Sequence, residues 1–366
     1  MYLVTLISII AVFLTYLSKY KGLGVLYKIA FIFVTILACI HYNYGTDYPT
    51  YYEIFYRVSN SYDLDTFTYA TDLKTEPGWA LINYLFSLFG IPFGFFLMVF
   101  ILSIIQNYIY YKFIKRYVEP KDRWFAVAIY LFSSTLYVLN FSMMRQGLAV
   151  SLILLVFMCL SSKKYLWAIL LNIMAVLVHT SALIFLPFHF LRLSKLKDVK
   201  FIVLTFGVSF IIFLILSPLL DSVLTYFLHI SVFTGYQGYG SYGTASIGFG
   251  FLLDSMPYFV VSYLLLTRRH LFTYDVTLMS ILFLVAFVAT PFVLKITLLG
   301  RILYYFSVFS IVVVPIFYSK IKPSVLRFGF ILIFFFMLIF NYLDFFDPTH
   351  WSYDGYKTFH TIFEVL

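Results

Sequence analysis

Apolar runs about as long as a bilayer crossing recur along the whole chain, separated by short polar stretches. A helix needs about 20 residues to cross the hydrocarbon core of a membrane. Ten runs of about this length predict full crossings, at residues 2–17, 25–41, 93–111, 124–143, 146–161, 201–220, 247–267, 274–294, 298–319 and 325–343. The pattern predicts an all-α polytopic membrane protein, with residues 1–366 forming a single integral membrane domain.

Two further apolar runs are interrupted, and we expect them to be broken or re-entrant excursions. Residues 77–90 have Glu76-Pro77 at their start and are too short to cross. Residues 165–191 are broken at His179-Thr180-Ser181 and have basic residues on both sides. The basic residues at both ends favour a hairpin, in which the chain returns to the side of the membrane from which it entered. The alternative is one full crossing, which would leave four cations outside and invert every later loop.

The basic residues set the predicted orientation, because Lys and Arg concentrate in short cytoplasmic loops. Of the 25 Lys and Arg residues, 19 lie near predicted cytoplasmic loops. The N-terminus is then outside, with residues 42–90 and 221–246 as outer, periplasmic loops and residues 344–366 as an outer tail. This placement accounts for the net charge of +9 without a nucleic-acid partner.

The composition is typical of a membrane protein and gives no indication of a cofactor. The chain is 63% hydrophobic and 11% charged, with a mean hydropathy of +0.95. Cys39 and Cys159 both lie inside apolar runs and lack the spacing of metal ligands. No Gly-rich phosphate loop and no paired-histidine metal motif is present in the sequence. We therefore predict neither a metal nor a cofactor.

Six basic residues do not fit the cytoplasmic pattern: Arg57, Lys74, Arg145, Lys295, Arg301 and Lys357. Arg145, Lys295 and Arg301 lie at the outer ends of separate predicted spans, where a folded bundle could bring them together around an anion. An arginine inside a membrane helix costs about 2.5–3.5 kcal/mol, whereas its planar guanidinium suits phosphate oxygens. The alternative is that each side chain snorkels to lipid headgroups.

Two polar segments carry further candidate chemistry. Asp47 follows the second predicted span and could act as a base or orient a sugar hydroxyl, among tyrosines suited to stacking on sugars. The alternative is ordinary turn chemistry, since Gly45-Thr46-Asp47 is a good turn. His179 could carry a proton, or could lock the break in its hairpin through a hydrogen bond. The base remains open among Asp47, His41, Glu53 and His179.

With these residues in place, the chain resembles the EpsG-like family of Wzy-type polysaccharide polymerases, nearly from end to end. The resemblance rests on motifs whose order and spacing are specific together: Gly45-Thr46-Asp47-Tyr48 with Tyr51 or Tyr52, Glu76-Pro77-Gly78, Arg145-Gln146 with Ala149, His179-Thr180-Ser181-Ala182-Leu183, and Arg301 with Tyr304-Tyr305-Phe306 and Pro315. One position departs from the family pattern, because members often carry Arg where this chain has His41.

The resemblance implies a bacterial inner-membrane enzyme of O-antigen, capsule or exopolysaccharide synthesis, with a GT-C-like architecture. Such a polymerase transfers a growing glycan from undecaprenyl diphosphate to a sugar hydroxyl of another lipid-linked repeat unit. Its active site would face the periplasm or the outer side of the membrane. The partners implied are the undecaprenyl-diphosphate-linked oligosaccharide, membrane lipids and a Wzz-type chain-length regulator. A glycan ligase and a flippase or exporter of the same lipid are the alternatives.

The resemblance also suggests roles for individual residues. Asp47 would activate or position the acceptor hydroxyl, and Arg145 and Arg301 would bind the diphosphate with Lys295 as an auxiliary cation. His179 and Glu76 would support the site. The substrate-binding residues would be His41, Tyr48, Tyr52, Glu76, Gln146, Lys295, Tyr304 and Tyr305.

Overall fold

The computed structural model describes residues 2–60, 75–189, 199–228, 249–293, 300–347 and 358–364. The chain divides into two compact units, one of residues 1–190 with 338–366 and one of residues 191–337. Lys295 and most of the predicted outer loop at 221–246 lie outside the described residues.

The first unit consists almost entirely of helices. Its helices are α1 (Tyr2–Leu17), α2 (Val25–Cys39), α3 (Asp47–Asn60), α4 (Pro77–Ser87), α5 (Phe93–Tyr117), α6 (Arg123–Phe132), α7 (Leu139–Ser142), α8 (Met144–Ser161) and α9 (Tyr165–Val178). A 3₁₀ helix (Thr180–His189) follows α9, and a second one (Ile362–Glu364) lies near the C-terminus. Two short strands, β1 (His41–Tyr42) and β2 (His360–Thr361), pair antiparallel.

The second unit is helical throughout its described residues. Its helices are α10 (Val199–Leu228), α11 (Phe249–Arg268), α12 (Tyr274–Val293), α13 (Gly300–Ser307), α14 (Ser310–Tyr318) and α15 (Ser324–Asp344), and a 3₁₀ turn (Arg269–Leu271) extends α11. The last residues of α15 belong to the first unit.

Within the described ranges, four helices are long and apolar enough to cross a membrane: α5, α8, α11 with its 3₁₀ extension, and α15. The bent pair α13 and α14 makes a fifth if it counts as one span. Several apolar helices of 10–17 residues accompany them. These features confirm an all-α, multi-pass membrane protein. The total of ten crossings and the GT-C-like architecture remain predictions.

Two predicted single crossings are divided in the structure. The run 124–143 becomes α6 and α7, separated at Ser133, whose backbone is extended and whose hydroxyl contacts the Thr135 hydroxyl at 2.9 Å. Serine and threonine side chains compete with the helical backbone for hydrogen bonds, which explains a break here. The run 298–319 becomes α13 and α14, which differ in direction by 50°.

The predicted outer segments contain more regular structure than expected. Residues 42–90 include the 14-residue α3 in addition to the short α4. Helix α10 continues to Leu228, which is eight residues into the predicted loop 221–246. In the tail, residues 360–361 form β2 against the residues that follow α2.

The interrupted run at 165–191 turns at His179, and residues 180–189 contact α9. Its return to the starting side of the membrane remains a prediction. The α-helical limb of 14 residues and the 3₁₀ limb of 10 residues are each about 20 Å long. Asn172 in the first limb donates to the Ala182 carbonyl at 3.4 Å, and its Oδ1 lies 2.8 Å from His189 Nε2. The side of the membrane from which this hairpin enters remains a prediction.

Buried tyrosines join the helices of the first unit. The Tyr130 hydroxyl on α6 donates to Asn107 Oδ1 on α5 at 3.0 Å, and the Tyr137 hydroxyl donates to the Val34 carbonyl of α2 at 2.6 Å. Both rings are about 1% exposed. A buried phenol needs such a partner, because an unsatisfied polar group is costly in an apolar interior. These bonds fix the frame that carries residues 139–145.

Helix α4 packs closely against the end of α9. A Cβ atom added at Gly78 would lie 2.7 Å from the Leu177 carbonyl oxygen, which is closer than side chains approach backbone. Glycine therefore allows the start of α4 to reach the chain just before His179. This contact places Glu76, the residue before α4, at the break in the hairpin.

Candidate active site

The carboxylate of Glu76 joins three separate parts of the first unit. One oxygen, Oε2, accepts a hydrogen bond from Arg145 Nη1 at 2.6 Å. The other oxygen, Oε1, lies 2.8 Å from His179 Nδ1 and accepts a bond from the Thr180 backbone N–H at 3.3 Å. Three predicted site residues from distant motifs thus meet around one carboxylate.

Arg145 is the second residue of α8 and therefore lies in its first turn. A positive charge there opposes the positive end of the helix dipole by about 0.3–1 kcal/mol, and the Glu76 carboxylate offsets this cost. The guanidinium carbon also lies 5.2 Å from the centre of the buried Tyr51 ring. Arg145 Nε is buried with no hydrogen-bond partner within the described part of the chain.

His179 ends α9 in an extended conformation, and its orientation fixes its tautomer. The ionised Glu76 carboxylate can only accept, so the hydrogen must reside on His179 Nδ1. In the neutral ring, Nε2 then carries a lone pair. This is the arrangement by which a carboxylate orients a catalytic histidine in hydrolase triads.

The three side chains are partly open to solvent, with exposures of 23% for Arg145, 14% for Glu76 and 18% for His179. A ligand could therefore reach them without unfolding the bundle. The cluster has no net charge when His179 is neutral and a charge of +1 when it is protonated.

The pKa of Glu76 is lowered from its ordinary value of 4.5 to about 2. Burial opposes ionisation and is the largest single effect. The hydrogen bond from His179 and the positive charge of Arg145 together outweigh it. Glu76 is consequently ionised at any physiological pH and holds its partners as a carboxylate.

Asp47 lies close to the chain that leads into Arg145. Its backbone N–H donates to the Ser142 hydroxyl at 3.3 Å, and its Oδ1 accepts from the Thr46 hydroxyl at 3.2 Å. Asp47 also begins α3, which carries Tyr51 one turn later. The first outer motif is therefore a neighbour of the Arg145 motif, and the Asp47 side chain is half-buried beside it.

Three predicted binding residues of the first unit lie inside the core. Tyr48 and Gln146 are 1% and 3% exposed, and His41 is 2% exposed. The His41 ring nitrogens lie 2.5 Å from the Ala38 carbonyl and 3.1 Å from the Phe141 carbonyl. Their roles in substrate binding remain predictions, and at these positions they support the loop around Arg145. Tyr52, by contrast, is half-buried.

The remaining predicted site residues belong to the second unit. Arg301, Tyr304 and Tyr305 all lie on α13, where spacings of three and four residues place them on one face. Tyr305 is buried, whereas Arg301 and Tyr304 are half-buried. The convergence of Arg301 and Lys295 with Arg145 remains a prediction.

Tyr51, Ser142 and the Thr180 backbone also belong to the site, although the sequence alone does not mark them as site residues. Tyr51 packs on Trp79 with ring centres 5.3 Å apart, so α3 and α4 together form the wall beneath Arg145. The four-residue spacing from Asp47 to Tyr51 was the available signal, because it places both on one face of a helix.

In the described ranges, no group of three His, Cys, Asp or Glu side chains is arranged to hold a metal ion.

The structure so far defines a multi-pass membrane protein with a partly open ionic site. A comparison with protein-family models identifies the particular family: the EpsG family model matches residues 24–356, and the chain belongs to that family. Membership indicates a polysaccharide-polymerase-like membrane protein. Neither the curated proteins nor the solved structures contained a match.

The lowered pKa of Glu76 leads to a testable pH dependence. Its ionised form contributes stability above pH 4.5, and this contribution is lost as the pH falls from about 4.5 to about 2. The lowering corresponds to about 3 kcal/mol. Unfolding temperatures of the wild type and Glu76→Gln, measured over this range in detergent, should converge at low pH and differ at neutral pH. A constant difference at every pH would contradict the assignment.

Proposed function

We propose that this protein is a polysaccharide polymerase of the bacterial cytoplasmic membrane that transfers a growing glycan between lipid carriers. The donor is an oligosaccharide on undecaprenyl diphosphate, and the acceptor is a sugar hydroxyl of another lipid-linked repeat unit. The reaction occurs on the outer face of the membrane. The family match supports the class, and the Glu76 cluster supports the chemistry.

The observation that carries the proposal is the meeting of Arg145, Glu76 and His179 in a partly exposed site. The reaction needs a cation for the diphosphate leaving group and a base for the acceptor hydroxyl. Arg145 has five N–H donors, and the bond to Glu76 uses one of them. Its Nε is buried, so the donors that can bind phosphate oxygens are the solvent-accessible N–H groups of the two Nη atoms, while Glu76 holds the guanidinium in place.

His179 is the candidate base that best fits its surroundings. His41 is buried with both ring nitrogens against carbonyls, and Glu53 forms an exposed ion pair with Arg57. Asp47 is half-buried and accepts from a neighbouring hydroxyl. Among these four residues, His179 is the one that a carboxylate orients. Its Nδ1 is hydrogen-bonded to Glu76, so its Nε2 is available to accept a proton.

In the proposed step, the acceptor hydroxyl oxygen attacks the anomeric carbon of the donor sugar. The bond between that carbon and the diphosphate oxygen breaks, and its electron pair leaves with undecaprenyl diphosphate. The hydroxyl proton passes to His179 Nε2. Arg145 stabilises the negative charge that grows on the leaving group, and Asp47 orients the acceptor.

The Arg145 assignment predicts that Arg145→Lys loses glycan extension while the protein remains folded. Lysine keeps a positive charge for Glu76 but lacks the planar fork for phosphate oxygens. We expect extension to fall about 100-fold or more in liposomes supplied with lipid-linked repeat units. The readout is the ladder of glycan lengths on a gel.

Arg57→Lys is the matched control, because Arg57 is also predicted to lie outside and pairs with a carboxylate, Glu53, at an exposed position. It should give the wild-type ladder. Normal extension by Arg145→Lys would overturn the role of Arg145. Wild-type liposomes that move repeat units across the membrane without making a ladder would favour a flippase instead.

The His179 assignment is tested by Asn, which keeps an N–H donor near the position of Nδ1 but offers no basic nitrogen at Nε2. His179→Asn should therefore retain its contact with Glu76 and the wild-type unfolding temperature while extension is lost. If glycan extension persists in a stable His179→Asn protein, His179 is not the base and only stabilises the break at the end of α9.

A further inference from the structure

The second unit contains a large groove between α11 and α15 that none of the chemistry above uses. Its volume is about 570 Å³, within the range of about 300–1,000 Å³ that is typical of ligand sites. Tyr263 and Leu264 form part of one wall, and Leu326, Gly329 and Phe330 form part of the other. All of its lining residues belong to residues 256–333, so the groove lies wholly within this unit.

The two helices beside the groove are the least covered of the four long apolar helices. Of the most apolar 18 residues, 28% are buried in α11 and 11% in α15, against 61% in α5 and 72% in α8. Leu326 and Tyr263 are each 61% exposed. In a membrane, such surface is covered by lipid chains, and the groove gives one chain a defined position.

The groove has a basic end and an apolar remainder. Arg268 and Lys322 line the end where α11 finishes and α15 is about to begin. Arg268 Nη1 donates to the Lys320 carbonyl at 3.2 Å, which fixes the guanidinium at the rim and uses one of its five N–H donors. The sequence places these residues on the cytoplasmic side. A phosphate group at this end would meet two positive charges.

The length of the groove matches one leaflet. From Arg268 back to Met256, α11 extends about 18 Å along the wall. Half of a hydrocarbon core is about 15 Å. A ligand with an anionic head at Arg268 and Lys322 and a hydrocarbon chain toward Met256 would thus fit from the membrane surface to its midplane.

We propose that this groove binds an anionic phospholipid of the cytoplasmic leaflet, with its phosphate at Arg268 and Lys322 and an acyl chain between α11 and α15. The lipid fills the space that separates the two helices and so stabilises the second unit. Basic pockets between membrane helices on the cytoplasmic side commonly bind such headgroups. This site is independent of the proposed glycan transfer.

The test compares purified protein in phosphatidylcholine nanodiscs with and without phosphatidylglycerol. We expect phosphatidylglycerol to raise the unfolding temperature of the wild type, and native mass spectrometry to show a retained phosphatidylglycerol molecule. The double variant Arg268→Gln with Lys322→Gln should weaken the apparent affinity for phosphatidylglycerol about 30-fold. It removes two basic residues, and each one near a membrane surface usually contributes a factor of about 5. Arg269→Gln with Lys320→Gln removes the same charge from side chains that do not line the groove and should behave as wild type.

A second pair of variants tests the acyl chain without changing charge. A Cβ atom at Gly329 meets nothing within 4 Å, so Gly329→Leu should fold, fill the groove and abolish the response to phosphatidylglycerol. Gly207→Leu on α10 is equally unobstructed but lies outside the groove, and should respond as wild type.

Three results would overturn the proposal. The first is a wild-type response in either groove variant. The second is the same stabilisation by glycerol 3-phosphate alone, which would indicate an anion site without a lipid chain. The third is a protein that dimerises when phosphatidylglycerol is absent and loses this ability in Gly329→Leu, since a second copy would then occupy the groove.

Discussion

The ion pairing of the Glu76 carboxylate is the constraint on which the first unit depends. Arg145 interrupts a long apolar sequence, and the chain leaves the α-helical path at His179 and Thr180. The arginine would be costly without a partner, because breaking a buried ion pair typically costs about 3–5 kcal/mol. One carboxylate satisfies Arg145 and the Thr180 N–H and also orients His179. The same contacts that hold α4, α8 and the hairpin together therefore form the candidate site.

The parts of this arrangement that sequence could predict are those with a strong physical signal. An arginine between apolar runs, a short helix opened by Glu76-Pro77, and a break at His179-Thr180 each depart visibly from the pattern of a membrane span. The return of residues 180–189 along α9 also followed from charge, since both ends of that run carry cations. The apolar pattern identified the class of protein correctly.

Other features had no comparable signal. The break between α6 and α7 depends on the competition of Ser133 and Thr135 with the backbone, which is a weak signal within a run of twenty mostly apolar residues. The pairing of β1 with β2 joins residues more than 300 positions apart and involves only two residues in each strand. The spacing from Asp47 to Tyr51 places both residues on one helix face, but it does not indicate that the Tyr51 ring contacts Arg145, because interfacial tyrosines are common.

The most direct test of the account is a double-mutant cycle on the unfolding free energy, using Glu76→Gln, Arg145→Gln and the double variant. If the two side chains stabilise one another as a partly buried pair, each single change leaves a charge without its partner, and the second change relieves that penalty. We predict a coupling energy of about 2 kcal/mol or more. Additive effects within about 0.5 kcal/mol would show that the pair does not hold the site together.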